Sequence, residues 1–178
     1  MKNKIYNFKI INLEKFIDKR GFFFEKYSKV KFNSLGIKYN FVQDNVSVSK
    51  KNVLRGLHFQ KKYKQGKLLR VVKGKIFDVI VDLRKNKSTF KNVYSFILSE
   101  NDFKVLWIPQ GFAHGFCVLS KVAQVEYKCT DFYKPNDQLT LLWNDETLKI
   151  KWPIHKPILS DNDKNGKTLI DLIKKKLI

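Results

Sequence analysis

Between Ala123 and Thr130 the chain alternates without a break. Ala123, Val125, Tyr127 and Cys129 fall on one side of an extended backbone, and Gln124, Glu126, Lys128 and Thr130 on the other. A period of two sends successive side chains to opposite faces of a strand, which predicts a half-buried strand with Tyr127 on its apolar face. Similar extended segments recur at Phe22–Glu25, Phe41–Ser47, Asn52–Gln60, Val93–Leu98, Val105–Ile108, Ala113–Leu119 and Leu139–Trp143. Ile5–Ile11 opens the chain with a further alternating stretch, and Asp18–Gly21 follows as a turn signal. Gly66–Val72 and Ile76–Leu83 read as a hairpin about Lys73-Gly74. Helix is expected in two places. One is Ser28–Gly36, which Gly36 is placed to end. The other is a C-terminal helix over 167–177, with Leu169, Ile170, Leu172 and Ile173 as its apolar stripe. Many short strands with little helix predict a mainly β fold, a jelly-roll barrel with a few short helices. Residues 1–178 are expected to form one domain, since no repeat or long linker divides them.

The densest chemistry lies at Arg55-Gly56-Leu57-His58, inside the predicted Asn52–Gln60 strand. An imidazole on a strand is either a satisfied core group or a proton-transfer group. Arg55 is always charged and is costly to bury without an anion. Gly56 permits close approach of another backbone or a ligand. A fixed cation beside a candidate base predicts a pocket for an anionic substrate.

Composition narrows the partners. With 43% hydrophobic residues and 15 Phe, the chain can fill a core and is not disordered. The net charge of +20 would attract nucleic acid, but it is nearly all lysine spread along the chain, without the interleaved aromatics of a stacking platform. No nucleic-acid partner is therefore expected. No apolar run of 18 residues exists, so no membrane partner is expected either. The opening Met1–Lys9 has no continuous apolar stretch, and Cys117 and Cys129 lie in apolar runs as reduced thiols. Both point to a cytoplasmic protein.

Jelly rolls with histidines are often cupins, and many cupins hold a metal. Here His58 and His114 stand alone, without the His-x-His pair that strand ligation would use, so no metal is expected. Asp161-Asn162-Asp163-Lys164-Asn165-Gly166 imitates half of a calcium loop, but Leu172 occupies the position of the closing glutamate. It reads as a turn, from which a carboxylate can fold back toward His58. No phosphate loop or dinucleotide fingerprint is present, and no cofactor is expected. A base candidate, a phenol and a lysine on strands suit proton abstraction beside a carbonyl. Tyr127 taken alone reads more readily as a core tyrosine with a satisfied hydroxyl.

These segments carry a resemblance. Asp18-Lys19-Arg20-Gly21-Phe22-Phe23-Phe24-Glu25, Phe41-Val42-Gln43-Asp44-Asn45, Leu54-Arg55-Gly56-Leu57-His58-Phe59-Gln60, Gly66-Lys67-Leu68 and Trp107 to Phe116 occur in that order. Tyr127-Lys128, Trp143-Asn144-Asp145 and Trp152-Pro153 continue the series. Together they resemble the dTDP-4-dehydrorhamnose 3,5-epimerase family over roughly residues 5 to 163. The resemblance implies a cupin-type jelly roll, a homodimer, a nucleotide-sugar substrate, and epimerisation at C3 and C5 of dTDP-4-keto-6-deoxyglucose through an enolate. By motif it makes His58 the general base, Asp163 its orienting carboxylate (with Asp161 two residues away as the alternative), Tyr127 the general acid and Lys67 the cation near the sugar oxyanion. It places Arg20, Gln43, Asn45, Arg55 and His114 around the substrate, and Phe22 and Glu25 against the nucleotide of a neighbouring subunit. Tyr133, an even number of residues beyond Tyr127, is a further substrate-lining phenol and a rival donor. The competing functions are a single-site epimerase acting on C3 or C5 of a related sugar, and a non-catalytic sugar-binding cupin.

Overall fold

The computed structural model describes residues 8–178; the first part of the expected Ile5–Ile11 stretch lies outside them. The alternating segments pair into two five-stranded antiparallel sheets. The first runs β1 (Lys9–Asn12), β9 (Lys104–Ile108), β6 (Lys67–Lys73), β11 (Val122–Cys129) and β4 (Gln43–Lys50). The second runs β12 (Gln138–Thr140), β5 (Leu54–Gln60), β10 (Phe112–Val118), β7 (Lys75–Asp82) and β8 (Val93–Ser99). A small hairpin, β2 (Phe16–Asp18) with β3 (Gly21–Phe23), stands apart. The two sheets form the jelly roll that the strand pattern predicts.

Lys73-Gly74 does not make the expected hairpin. β6 and β7 belong to different sheets, so the turn carries the chain across the sandwich. Gly74 takes φ +80°, and a Cβ there would meet Val122 O at 2.1 Å. Side chains do alternate on β7, where Ile76 and Ile80 join the central core and Val79 and Val81 the outer one, but alternation does not say which neighbour a strand pairs with.

Between the sheets, Leu69, Val71, Ile76, Ile80, Leu106, Phe112 and Val125 pack as the central core. Each fully buried aliphatic chain of this kind contributes about 1.5–3 kcal/mol. On the outer face of the second sheet, Leu57, Val79, Val81 and Ala113 pack against Leu141, Leu169 and Leu172. On the outer face of the first, Leu68, Val105 and Trp107 lie under Phe32 of α1 (Lys29–Ser34). Gly36 follows α1 at φ +82°, as a helix-ending glycine should.

The C-terminal segment is shorter in helix than expected. α2 (Asp161–Lys164) is a single turn capped by Ser160, and α3 (Leu169–Lys174) is capped by Thr168. Leu169 and Leu172 are buried, but Ile170 is half exposed, since so short a helix docks only a narrow stripe. No helix among the described residues is long and apolar enough to cross a membrane.

Candidate active site

At one end of the sandwich the apolar core gives way to polar side chains. β4 turns Gln43, Asn45, Ser47 and Ser49 inward at every second position. In register beside them stand Cys129, Tyr127, Val125 and Ala123 of β11. β6 brings Lys67 opposite Cys129. An amide chain links this wall: Gln43 Nε2 donates to Asn45 Oδ1 at 2.9 Å, and Asn45 Nδ2 to Cys129 Sγ at 3.5 Å.

The facing wall comes from β5 and β10, where His58 and His114 are cross-strand partners. The pairing slips between His114 and Phe116: two steps on β10 oppose the three steps from His58 to Arg55 on β5. Residues three apart on a regular strand face opposite ways. The bulge adds the missing step, so Arg55 and His58 both border the same cavity. The slip depends on glycine. Gly56 sits at φ +118°, and a Cβ there would lie 2.5 Å from Gly115 Cα. The Arg55 guanidinium is steadied by Ser49 of the opposite sheet, its Nε donating to the hydroxyl at 2.8 Å.

His58 Nε2 lies 2.6 Å from Asp163 Oδ1. Asp163, on α2, also accepts from the Gly56 N–H at 3.3 Å and the Ser160 hydroxyl at 2.8 Å. Burial pushes this carboxyl up, but the hydrogen bond and charge of His58, with the bonds from Ser160 and Gly56, outweigh it and hold the group below the ordinary carboxylate value. A carboxylate here accepts Nε2–H, which leaves the Nδ1 lone pair as the basic position. Asp161, the alternative partner, is 92% exposed at its side chain and pairs with Lys164.

Two adjoining hollows, of about 260 and 310 Å³, share three residues: His58, Lys67 and Tyr127. Lys67 is buried, none of the described residues accepts a hydrogen bond from its ammonium, and burial pushes its pKa down. Burial likewise pushes the Tyr127 phenol up, with Cys129 adding to the effect and Arg55 opposing it. A tyrosine so placed keeps its proton through the neutral range. Gln43, Asn45 and Tyr133 border the first hollow, and Arg55 and His114 the second. The Tyr133 backbone N–H donates to Gln43 Oε1 at 2.8 Å.

Three expected residues lie elsewhere. Arg20 occupies the β2–β3 turn, ion-paired with Asp18 at 2.6 Å. Phe22 meets Phe103 edge-on with ring centroids 5.2 Å apart, and Glu25 follows on the same segment. None of the three borders this chain's own cavity. Conversely, Asp78 lies behind the cavity wall and carried no signal beyond its place in an alternating strand. Fully buried, it holds His114 Nε2 at 2.8 Å, a second imidazole–carboxylate pair beside the first. Gln60 was also missed as a builder of the site; its amide bonds the backbone of Tyr63, Phe132 and Lys134 and ties down the loops at the rim.

A jelly roll holding this polar cavity is an isomerase scaffold of the cupin type. The chain belongs to the dTDP-4-dehydrorhamnose 3,5-epimerase family, whose model matches residues 2–171. The dTDP-4-dehydrorhamnose 3,5-epimerase of Shigella flexneri is 46% identical over 173 residues, 96% of either chain. The crystal structure of the Bacillus anthracis dTDP-4-dehydrorhamnose 3,5-epimerase with TDP and PPi bound superposes with TM-score 0.90 and 47% identity, covering 92% of this chain and 94% of that one. The Legionella pneumophila dTDP-6-deoxy-D-glucose-3,5-epimerase in complex with dTDP-4-keto-L-rhamnose gives TM-score 0.92 and 44% identity, over 98% and 94%.

The contact to His58 predicts unequal roles for the two nearby carboxylates. Asp163→Ala should slow turnover, yet less than loss of the imidazole itself, because a carboxylate bonded to the far side of the ring would orient it without taking the proton. Asp161→Ala should leave turnover within a factor of about two, as exposed substitutions usually do. Initial rates for the three alanine variants, including His58→Ala, test this; a larger loss at Asp161 than at Asp163 would refute the assignment.

Proposed function

We propose that this chain epimerises dTDP-4-keto-6-deoxyglucose at C3 and C5. The observation that supports this most is the division of groups between the walls. His58, held by Asp163, stands on one sheet; Tyr127 and Lys67 stand on the other. The hydrogens at C3 and C5 flank the C4 ketone. His58 Nδ1 removes one of them, and the electron pair moves onto the C4 oxygen. The Lys67 ammonium stabilises the enolate where its charge develops. Inversion requires a proton on the other face, which the Tyr127 hydroxyl supplies. The histidine then loses its proton, the phenolate regains one from solvent, and the sequence repeats at the second carbon. Gln43, Asn45, Tyr133 and His114 border the sugar, and Arg55 is the cation for the diphosphate. Protein groups carry every step, in keeping with a cytosolic enzyme of sugar-nucleotide synthesis.

Incubation with dTDP-4-keto-6-deoxyglucose in D2O tests the reading. Because the delivered proton exchanges with solvent, the product should carry two deuterons, at C3 and C5, and should still do so after exhaustive chelation. One deuteron would mean a single-site epimerase. No uptake would leave a binding protein, and loss on chelation with rescue by a divalent ion would overturn the metal-free scheme.

The working form proposed is a homodimer. Ile17, Phe22 and Phe23 expose 73%, 56% and 68% of their surfaces on the β2–β3 hairpin, a large apolar patch for a monomer to leave in water. Seated on a second copy, the hairpin would carry Arg20, Phe22 and Glu25 to the partner's nucleotide. Light scattering should give twice the chain mass at micromolar concentration; the monomer mass throughout would exclude this arrangement.

A further inference from the structure

Behind the strand that carries Tyr127, on the outer face of the first sheet, lies a third hollow of about 220 Å³, which shares only Asn45, Val46 and Tyr127 with the other two. Two ion pairs border it. Lys26 Nζ meets Glu126 Oε2 at 2.8 Å, and Lys128 Nζ meets Asp44 Oδ2 at 2.9 Å. The fifth charged group, Arg70, is 8% exposed, and none of the described residues accepts a hydrogen bond from its guanidinium. Its Nε is buried without an acceptor. The rings of Phe24 and Phe103 lie 4.5 and 5.7 Å from its Cζ. Glu126 faces Arg70 across the β6–β11 pairing and its charge offsets part of the burial, but it accepts its hydrogen bonds from Lys26 and Gln124 and none from the guanidinium. A guanidinium cannot shed its charge at any ordinary pH. Aromatic stacking offsets only part of the desolvation of such a group, and its in-plane N–H donors suit a carboxylate or phosphate.

We infer that Arg70 anchors a second oxyanion-binding site, distinct from the cavity of His58, which takes one carboxylate or phosphate group against the guanidinium. Lys26 and Lys128 are matched by Glu126 and Asp44, so the net positive charge of the hollow is that of Arg70, and Tyr27, Leu68 and Val105 shape a partly apolar wall around it. The oxyanion has two sources: a free small anion, or an acidic side chain of a second copy of this chain. The inference rests on Arg70 and stands whether or not the epimerase reading does.

The test uses the full chain in anion-poor buffer. Inorganic phosphate and acetate are titrated while the Arg70 Nε–H and the Tyr27 and Val105 amides are followed by NMR, and self-association is measured by sedimentation equilibrium. Arg70→Met keeps the length and stacking of the side chain and removes its charge, so it should fold with unchanged or higher thermal stability. Arg55→Met serves as the control for anions entering the other cavity. If the source is a free anion, saturable shifts weaken at least about tenfold in Arg70→Met and persist in Arg55→Met. If the source is a second copy, the anions do nothing, and dimer affinity falls at least about tenfold in Arg70→Met alone. Shifts that follow Arg55 instead, or no effect of Arg70→Met on either measurement, overturn the inference. So does a large loss of thermal stability in Arg70→Met, which would reveal a structural partner within the chain.

Discussion

His58→Ala should abolish deuterium uptake at C3 and at C5 together. This is the largest effect expected, because on the proposed mechanism one imidazole serves both carbons. The two hydrogens flank the same ketone, and of the two carboxylate-held imidazoles only His58, with Asp163, borders both hollows beside Lys67 and Tyr127. His114 is bound in the same way to Asp78 and stands directly across from His58, so it is the rival base. General acid–base groups contribute about 10²–10⁴-fold, and removing the base should cost at least that in exchange rate. The variant should stay folded, since the ring is partly exposed and Gly56 and Ser160 still bond Asp163. Exchange retained at one carbon only would assign the other carbon to His114 or to water.

Tyr127→Phe separates abstraction from inversion. Removing one hydroxyl leaves His58 and Lys67 in place and opens almost no space. The enolate still forms, and His58 can return a deuteron to the face it came from. Exchange of solvent label into unreacted substrate should therefore persist at a reduced rate, while net inversion falls further, by up to the same about 10²–10⁴-fold. Measured together, label in recovered substrate and label in product give the ratio directly. Tyr133, nearly half exposed at the rim, is the competing donor. Inversion blocked by Tyr133→Phe and not by Tyr127→Phe would transfer the role. Normal inversion in both variants would mean that water protonates that face.

What was legible in the sequence followed from alternation. Tyr127 fell on the apolar face of its strand, and the structure packs it against the central core. The strand order of the sheets was not legible, because Gly74 turns the chain across the sandwich and no local pattern distinguishes that from a hairpin. Nor could alternation place Arg55 with His58: parity sets them on opposite faces, and only the slip of β5 against β10 reunites them. Asp163 could be nominated from its turn but not chosen over Asp161 by residue type; the helical turn of α2 buries one and leaves the other in solvent. Asp78 was invisible for a different reason. One carboxylate between Ile76 and Ile80 looks like an interruption of a core face until His114 is found beside it.

That His58 and Tyr127, the proposed base and acid, stand on different sheets has a mechanical consequence. No single strand or loop fixes the span between His58 and Tyr127; it is the thickness of the sandwich, about 10 Å between stacked sheets. Leu69, Ile80 and Phe112 lie in the core between the walls, and on the proposed mechanism they set the gap in which the pyranose ring would lie. The core behaves as the spacer of a caliper whose jaws are the two walls. A wider or narrower spacer would alter which rings receive a proton from the far side, with every catalytic group unchanged.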